Sequence, residues 1–248
     1  MRLPLGAEPH YLHLMDQPLR LHYAPDNASL IVRLALEELG APYETILVDR
    51  SIDAQNSPEY RAINPAGLIP VLETSQGPVF ETAAILLWLT EAHGAMAPHP
   101  GSDERASFLK WLFYLSNTTH ANLRLNFYPE KYVGDDEETQ ATLRAHARAT
   151  LCRSFDLLEA LSQDDHEWFC GADVSVVDLY VVAMLRWSAL YPAGDTDWFA
   201  LSRWPSLAAL TRRIDIRPSV ASLIKSEGMD LNPFSTPNYP NPPEGVAL

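Results

Sequence analysis

The chain reads as a small α/β unit followed by a larger all-helical one. Three observations predict this. Short alternating apolar runs and two amphipathic stretches share residues 19–96. "APHPGSD" (97–103), with two prolines and a glycine, then ends that regime. From there to about residue 228 only helical spacing recurs. We therefore divide the chain into an N-terminal extension (1–18), an α/β domain (19–96), a linker (97–102), an all-α domain (103–228) and a proline-rich tail (229–248).

"LRLHY" (19–23) alternates as a strand, and "SLIVRLALEELG" (29–40) follows as a helix stopped at Gly40. "YETILVD" (43–49) is a second strand. "LIPVLE" (68–73) is a third, and "GPVFE" (77–81) a fourth that turns back on it through 74–77. "TAAILLWLTEAHG" (82–94) is a helix with Thr82 as its expected cap. A β-α-β unit needs its crossover helix to make strands parallel, and the hairpin adds an antiparallel edge.

Residues 102–227 read as helix throughout. "VVDLYVVAMLRWSALY" (176–191) is apolar nearly all round and belongs at the centre of a bundle, behind a capping box formed by Ser175 and Asp178. "PSLAALTRRID" and "PSVASLIKSEG" each open with proline at the first helical position. The tail holds five prolines and cannot continue a helix, so it is a docked or loose arm.

Thirty-two acidic against 18 basic side chains give a net charge of −14 with no basic cluster, which argues against a nucleic-acid or anionic-membrane partner. No apolar run approaches the roughly 20 residues of a membrane span. The N-terminus lacks a signal-peptide core, so a cytoplasmic location is expected. Cys152 and Cys170 are far apart and read as reduced, mostly buried thiols; no ligand spacing predicts a metal.

Three stretches carry a resemblance. "NPAGLIPVLE" with "GPVFETAAIL" (64–86) resembles the signature of the cytosolic glutathione transferases. "GADVSVVDLYVVAML" (171–185) resembles their buried, box-capped helix, and Trp111 and His120 in "WLFYLSNTTH" are spaced as in the bacterial (beta) class. The resemblance spans about residues 19–228. It implies a thioredoxin-like first domain, a helical second domain, glutathione as co-substrate without a metal, and a homodimer.

Site residues follow from it. Pro70 is expected cis, exposing the backbone of Ile69 to an extended peptide. Leu68 stands where the bacterial class often has a polar side chain, so that contact is expected to be missing. Glu81 and Thr82, at a helix start, would hold the ammonium and carboxylate of the γ-glutamyl residue. In "YAPDNAS" (23–29) the bacterial cysteine position is Ala28, and no cysteine precedes Cys152. A mixed disulfide in the first domain is thereby excluded, which disfavours thiol-disulfide chemistry. Ser29 is the leading candidate to hydrogen-bond the glutathione sulfur, with a plain helix cap as its other reading; Asn27, Tyr23 and local backbone N–H groups are rivals, and His120 is a second polar contact. An acceptor pocket between the domains, lined by residues 108–132, would take a hydrophobic electrophile. The function implied is a detoxifying transferase that conjugates glutathione or reduces hydroperoxides; the alternative is a glutathione-binding scaffold without turnover.

Overall fold

The computed structural model describes residues 18–247; of the expected N-terminal extension, residues 1–17 lie outside the described residues. Strand β1 (Leu19–Tyr23) is followed by helix α1 (Ser29–Leu39) and strand β2 (Tyr43–Leu47), and the two strands pair in parallel. Strand β3 (Val71–Thr74) runs antiparallel to β1 and to β4 (Gly77–Phe80), giving the order β2-β1-β3-β4. The parallel pair and the antiparallel hairpin expected from the sequence are both present.

Three local readings are corrected. Strand β3 starts at Val71 rather than at residue 68, because Pro70 has no N–H for a ladder and the chain bends at a cis Ile69–Pro70 bond. A short helix α2 (Pro58–Ile63) stands between β2 and β3. Ser57 caps it by accepting from Tyr60 N–H at 3.1 Å, with Pro58 at its first position. Helix α3 (Thr82–His93) begins with Glu81 at the cap position, at φ 72, and no side chain closes that end; Thr82 is its first helical residue. Helix α1 likewise has Ala28 at the cap position and no side-chain cap. The α1 end is partly closed by backbone bonds, Leu30 N–H to Asn27 C=O (2.8 Å) and Ile31 N–H to Ala28 C=O (3.3 Å), whereas the α3 end keeps unpartnered N–H groups.

The second half opens with α4 (Arg105–Tyr114), a π-helical segment at Leu115–His120, and α5 (Ala121–Phe127), one helical run with a widened turn inside it. Such turns shift the faces of a helix and recur at functional sites. Helix α6 (Glu130–Val133) follows Pro129, and α7 (Glu137–Leu161) is capped by Asp136. Helix α8 (Val176–Leu190) is buried along nearly its whole length and starts from the expected capping box. Helices α9 (Pro205–Asp215) and α10 (Pro218–Glu227) complete the bundle. Residues 162–175 and 191–200 are not helical, correcting the expectation of unbroken helix; "SQDDHEWFCGADV" and "YPAGDTDWFA" carry the glycines and proline that end it.

The tail is docked. Arg186 of α8 donates to the carbonyls of Pro233 (2.9 Å) and Asn238 (3.1 Å), and the Tyr239 hydroxyl donates to Leu190 C=O at 2.7 Å. Asn241 N–H returns to Gly228 C=O at 2.8 Å. Gly228 has φ 64, and a Cβ there would lie 1.9 Å from the Asn241 oxygen, so both conformation and space require glycine. Both cysteines are free and half-buried rather than fully buried. Burial, and then the charge of Asp178, pushes the Cys170 thiol up to about 12.

Candidate functional site

A cleft of about 440 Å³ separates the sheet unit from the helices. One wall comes from the β1–α1 loop, residues 66–70 and the start of α3; the other comes from the π segment, α5, α6 and two side chains of α8.

Leu68, Ile69 and Pro70 all line the first wall. The Leu68 carbonyl is occupied by the fold, accepting from Tyr60 Oη (2.8 Å) and Asn64 Nδ2 (2.7 Å). The backbone N–H and C=O of Ile69 carry no bond among the described residues. An extended segment with one free donor and one free acceptor is an edge onto which a peptide can pair. The Leu68 side chain is 40% exposed and offers only apolar contact.

Glu81 and Thr82 stand beside that edge. The first helical bond of α3 is Ile85 N–H to Glu81 C=O at 2.9 Å, so the N–H groups of Thr82, Ala83 and Ala84 have no partner in the helix. A carboxylate side chain next to open helix amides and a hydroxyl offers one site for a cation and one for an anion.

In the β1–α1 loop, Asn27 and Ala28 line the cleft; Ser29 and Tyr23 do not. The Ser29 hydroxyl is fully buried, donating to Ala24 C=O at 3.0 Å and lying 3.3 Å from Ala24 N–H. It thus neither caps α1 nor reaches the cleft, against both sequence expectations. Tyr23 points the other way, with its hydroxyl on Glu244 of the tail and the Arg33 guanidinium 4.4 Å over its ring. Burial and the Glu244 carboxylate hold its phenol well above the usual range, so it stays protonated at neutral pH with its hydrogen committed to Glu244. Asn27 Oδ1 accepts from Ala28 N–H at 2.7 Å, which leaves its amide nitrogen without a bond among the described residues.

Asp26, which the sequence reading passed over, holds this loop. It is fully buried at φ 47, and it accepts from Arg186 twice, from Trp187 Nε1 (3.0 Å) and from Tyr191 Oη (2.7 Å). Its own N–H donates to Glu227 of α10 at 2.8 Å.

On the opposite wall the π segment presents Ser116, Asn117 and His120. His120 Nδ1 lies 2.9 Å from Tyr180 Oη, and its ring packs against Tyr180 and Trp187. Burial first, and then the nearby Arg124 charge, lowers its pKa to about 4, so the imidazole is neutral at physiological pH. Tyr180 and Thr82 both line the cleft, one from each wall. Tyr180 and Trp187 were read from sequence only as core, and the apolar spacing of α8 held no signal for their second face. Three cations, Arg50, Arg124 and Lys131, complete the rim. Among the described residues no group of three or more His, Cys, Asp or Glu is placed to hold a metal ion.

Residues 28–92 match the family model for the glutathione S-transferase N-terminal domain, and residues 106–227 match that for the C-terminal domain. The chain belongs to the glutathione S-transferase family. Among its relatives, the glutathione S-transferase GstA of Escherichia coli O157:H7 is 27% identical over 216 residues, covering 85% of this chain and all of that protein. A sphingomonad glutathione S-transferase solved in complex with glutathione is 29% identical with a TM-score of 0.69, covering 84% of this chain and 98% of that one. A Burkholderia graminis glutathione transferase with two glutathione molecules bound per subunit is 25% identical with a TM-score of 0.71, covering 84% and 88%. In this glutathione S-transferase the thioredoxin-like unit supplies the sheet wall of the cleft and the helical unit supplies the other.

Proposed function

We propose that this glutathione S-transferase binds glutathione along the Ile69 edge and activates its thiol for attack on an electrophilic small molecule. The observation that carries this reading is the convergence, in one cleft, of an unpaired backbone edge, an acid–hydroxyl pair at an open helix end, and an amide donor on the next loop. The tripeptide has matching parts. Its cysteinyl backbone pairs with Ile69, its ammonium meets Glu81, and its α-carboxylate meets Thr82 and the α3 amides. Arg50, whose Nη1 is buried without a hydrogen-bond partner, receives the glycine carboxylate.

The sulfur then faces Asn27 at the start of α1. Only the thiolate is a good nucleophile, and a free thiol titrates near about 8.5. The Asn27 amide and the positive end of α1 stabilise the anion; one unit of pKa depression takes about 1.4 kcal/mol. Assigning the Tyr180 hydrogen to the His120 Nδ1 bond leaves Nε2–H to donate into the cleft, as a second contact for the sulfur. In conjugation the sulfur bonds to the electrophilic carbon, the leaving group departs with its electron pair, and the thiol proton passes to solvent. With a hydroperoxide the thiolate attacks the terminal oxygen, the O–O bond breaks, the alkoxide takes a proton, and glutathione sulfenic acid remains; the sulfur of a second glutathione then bonds to it, giving the disulfide and water.

The rest of the reading is a detoxifying role for a cytoplasmic homodimer. Among the described residues Ile52 and Phe113, 75% and 45% exposed, are apolar surface available to a second subunit, and light scattering tests this. Among the described residues no helix is long and apolar enough to cross a membrane. Thiolate absorbance tests the chemistry. It should rise when glutathione binds at neutral pH and fall in Asn27→Ala, whereas binding without that signal and without turnover would favour a scaffold.

A further inference from the structure

The cleft holds more positive charge than glutathione consumes. In a chain with 32 acidic and 18 basic residues, three cations face one cleft. Among the described residues none of the three has a carboxylate within 4.0 Å. Their neighbours are neutral. Arg50 Nη2 donates to Tyr128 Oη at 3.1 Å, Arg124 Nε donates to Tyr132 Oη at 3.1 Å, and the Lys131 ammonium stands 4.3 Å over the Tyr128 ring. Among the described residues the only acid lining the cleft is Glu81, on the opposite wall.

The function proposed above assigns every charge of glutathione, and this inference rests on that reading. The ammonium goes to Glu81, the α-carboxylate to Thr82 and the α3 amides, the thiolate to Asn27, and the glycine carboxylate to Arg50. Arg124 and Lys131 remain, both on the helical wall where the acceptor enters. Cations that face one cleft repel one another, and an anion between them relieves that repulsion. Phe127 and Tyr128, both half-buried, supply flat apolar surface on the same wall.

We propose that the electrophile of this enzyme carries an anionic group, such as a carboxylate, held by Arg124 and Lys131 while its aromatic or apolar body packs against Phe127 and Tyr128. The anion takes no part in the bond change. Sulfur bonds to the electrophilic carbon, and the leaving group departs with its electron pair.

The test is a matched pair of acceptors, 4-chloro-3-nitrobenzoate and 4-chloro-3-nitrobenzamide, each rate divided by its uncatalysed rate with glutathione. The normalised kcat/KM should favour the benzoate about tenfold at low salt, and the advantage should shrink as salt rises. The benzoate-to-benzamide ratio should collapse toward one in the double variant R124Q/K131Q and persist in Lys131→Arg. Glutathione affinity, measured by calorimetry, reports separately on the underlying reading and on the folding of each variant. If glutathione binds and the wild-type ratio is near one, or if the double variant lowers both rates equally, the inference is overturned while the glutathione reading stands. If R124Q/K131Q instead weakens glutathione, these cations serve the tripeptide and the inference is again overturned. If wild-type protein binds no glutathione, both fall together.

Discussion

Asp26 and Arg186 form a two-pronged ion pair, Nε to Oδ1 and Nη2 to Oδ2 both at 2.9 Å, with neither side chain exposed to solvent. It ties the loop carrying Asn27 to the central helix α8 and, through the Arg186 bonds to Pro233 and Asn238, to the tail. Removing one member strands a buried charge. Arg186→Met should cost about 3–5 kcal/mol in urea unfolding, and replacing both members should cost less than the sum of the two single changes. A single-variant loss below about 1 kcal/mol would show that the pair does not organise this corner.

Glu81 and Thr82 carry the amino-acid head of the tripeptide in this account. Glu81→Gln preserves shape and removes charge, so glutathione affinity should fall about tenfold or more by calorimetry. Thr82→Ala should fall by a similar factor. Melting temperature should stay nearly constant in Glu81→Gln, because that side chain makes no cap bond with α3.

His120 sets a pH dependence whose direction is fixed by its depressed pKa. Between about 4 and the ordinary 6.5 the unfolded chain binds a proton that the folded chain does not, so stability falls as pH drops through that window. From about pH 7 to about pH 5 the wild type should lose about 1–2 kcal/mol more than His120→Gln. The acid limb of kcat/KM reports the thiol, which loses its Nε2–H contact without the imidazole, so its midpoint should rise in His120→Ala. An unchanged midpoint would show that this imidazole makes no contact with the sulfur.

Ser175 should matter to folding alone. Its Oγ accepts from Val177 N–H (3.1 Å) and Asp178 N–H (3.4 Å) and donates to Trp168 C=O at 2.6 Å, all buried. Ser175→Ala should lose about 1–2 kcal/mol in denaturant unfolding. Glutathione affinity of the folded variant should not change.

The sheet, the α8 capping box and the Ile69–Pro70 bend were legible because each has a local signature: alternation, Ser175 with Asp178, and the motif around Pro70. Helix α2 had a signal in Ser57 and Pro58 but is too short for periodicity to register. Ser29 misled because a hydroxyl at a helix start looks like a cap or a ligand contact; only the fold shows it turned inward to Ala24. Asp26 was invisible for the opposite reason. Its partners lie 160, 161 and 165 residues away, and no local pattern marks a turn aspartate as the anchor of a buried arginine. The π segment was equally hidden, since one extra residue per turn leaves a helical sequence looking regular.

The central claim is that glutathione lies along Ile69 with its sulfur at Asn27. A crystal structure of the complex measures this directly. We expect the cysteinyl N–H and C=O paired with Ile69 and the sulfur within about 3.5 Å of the Asn27 amide nitrogen, allowing for the longer reach of sulfur. A tripeptide bound elsewhere, or a sulfur turned away from Asn27 toward the helical wall, would contradict the account.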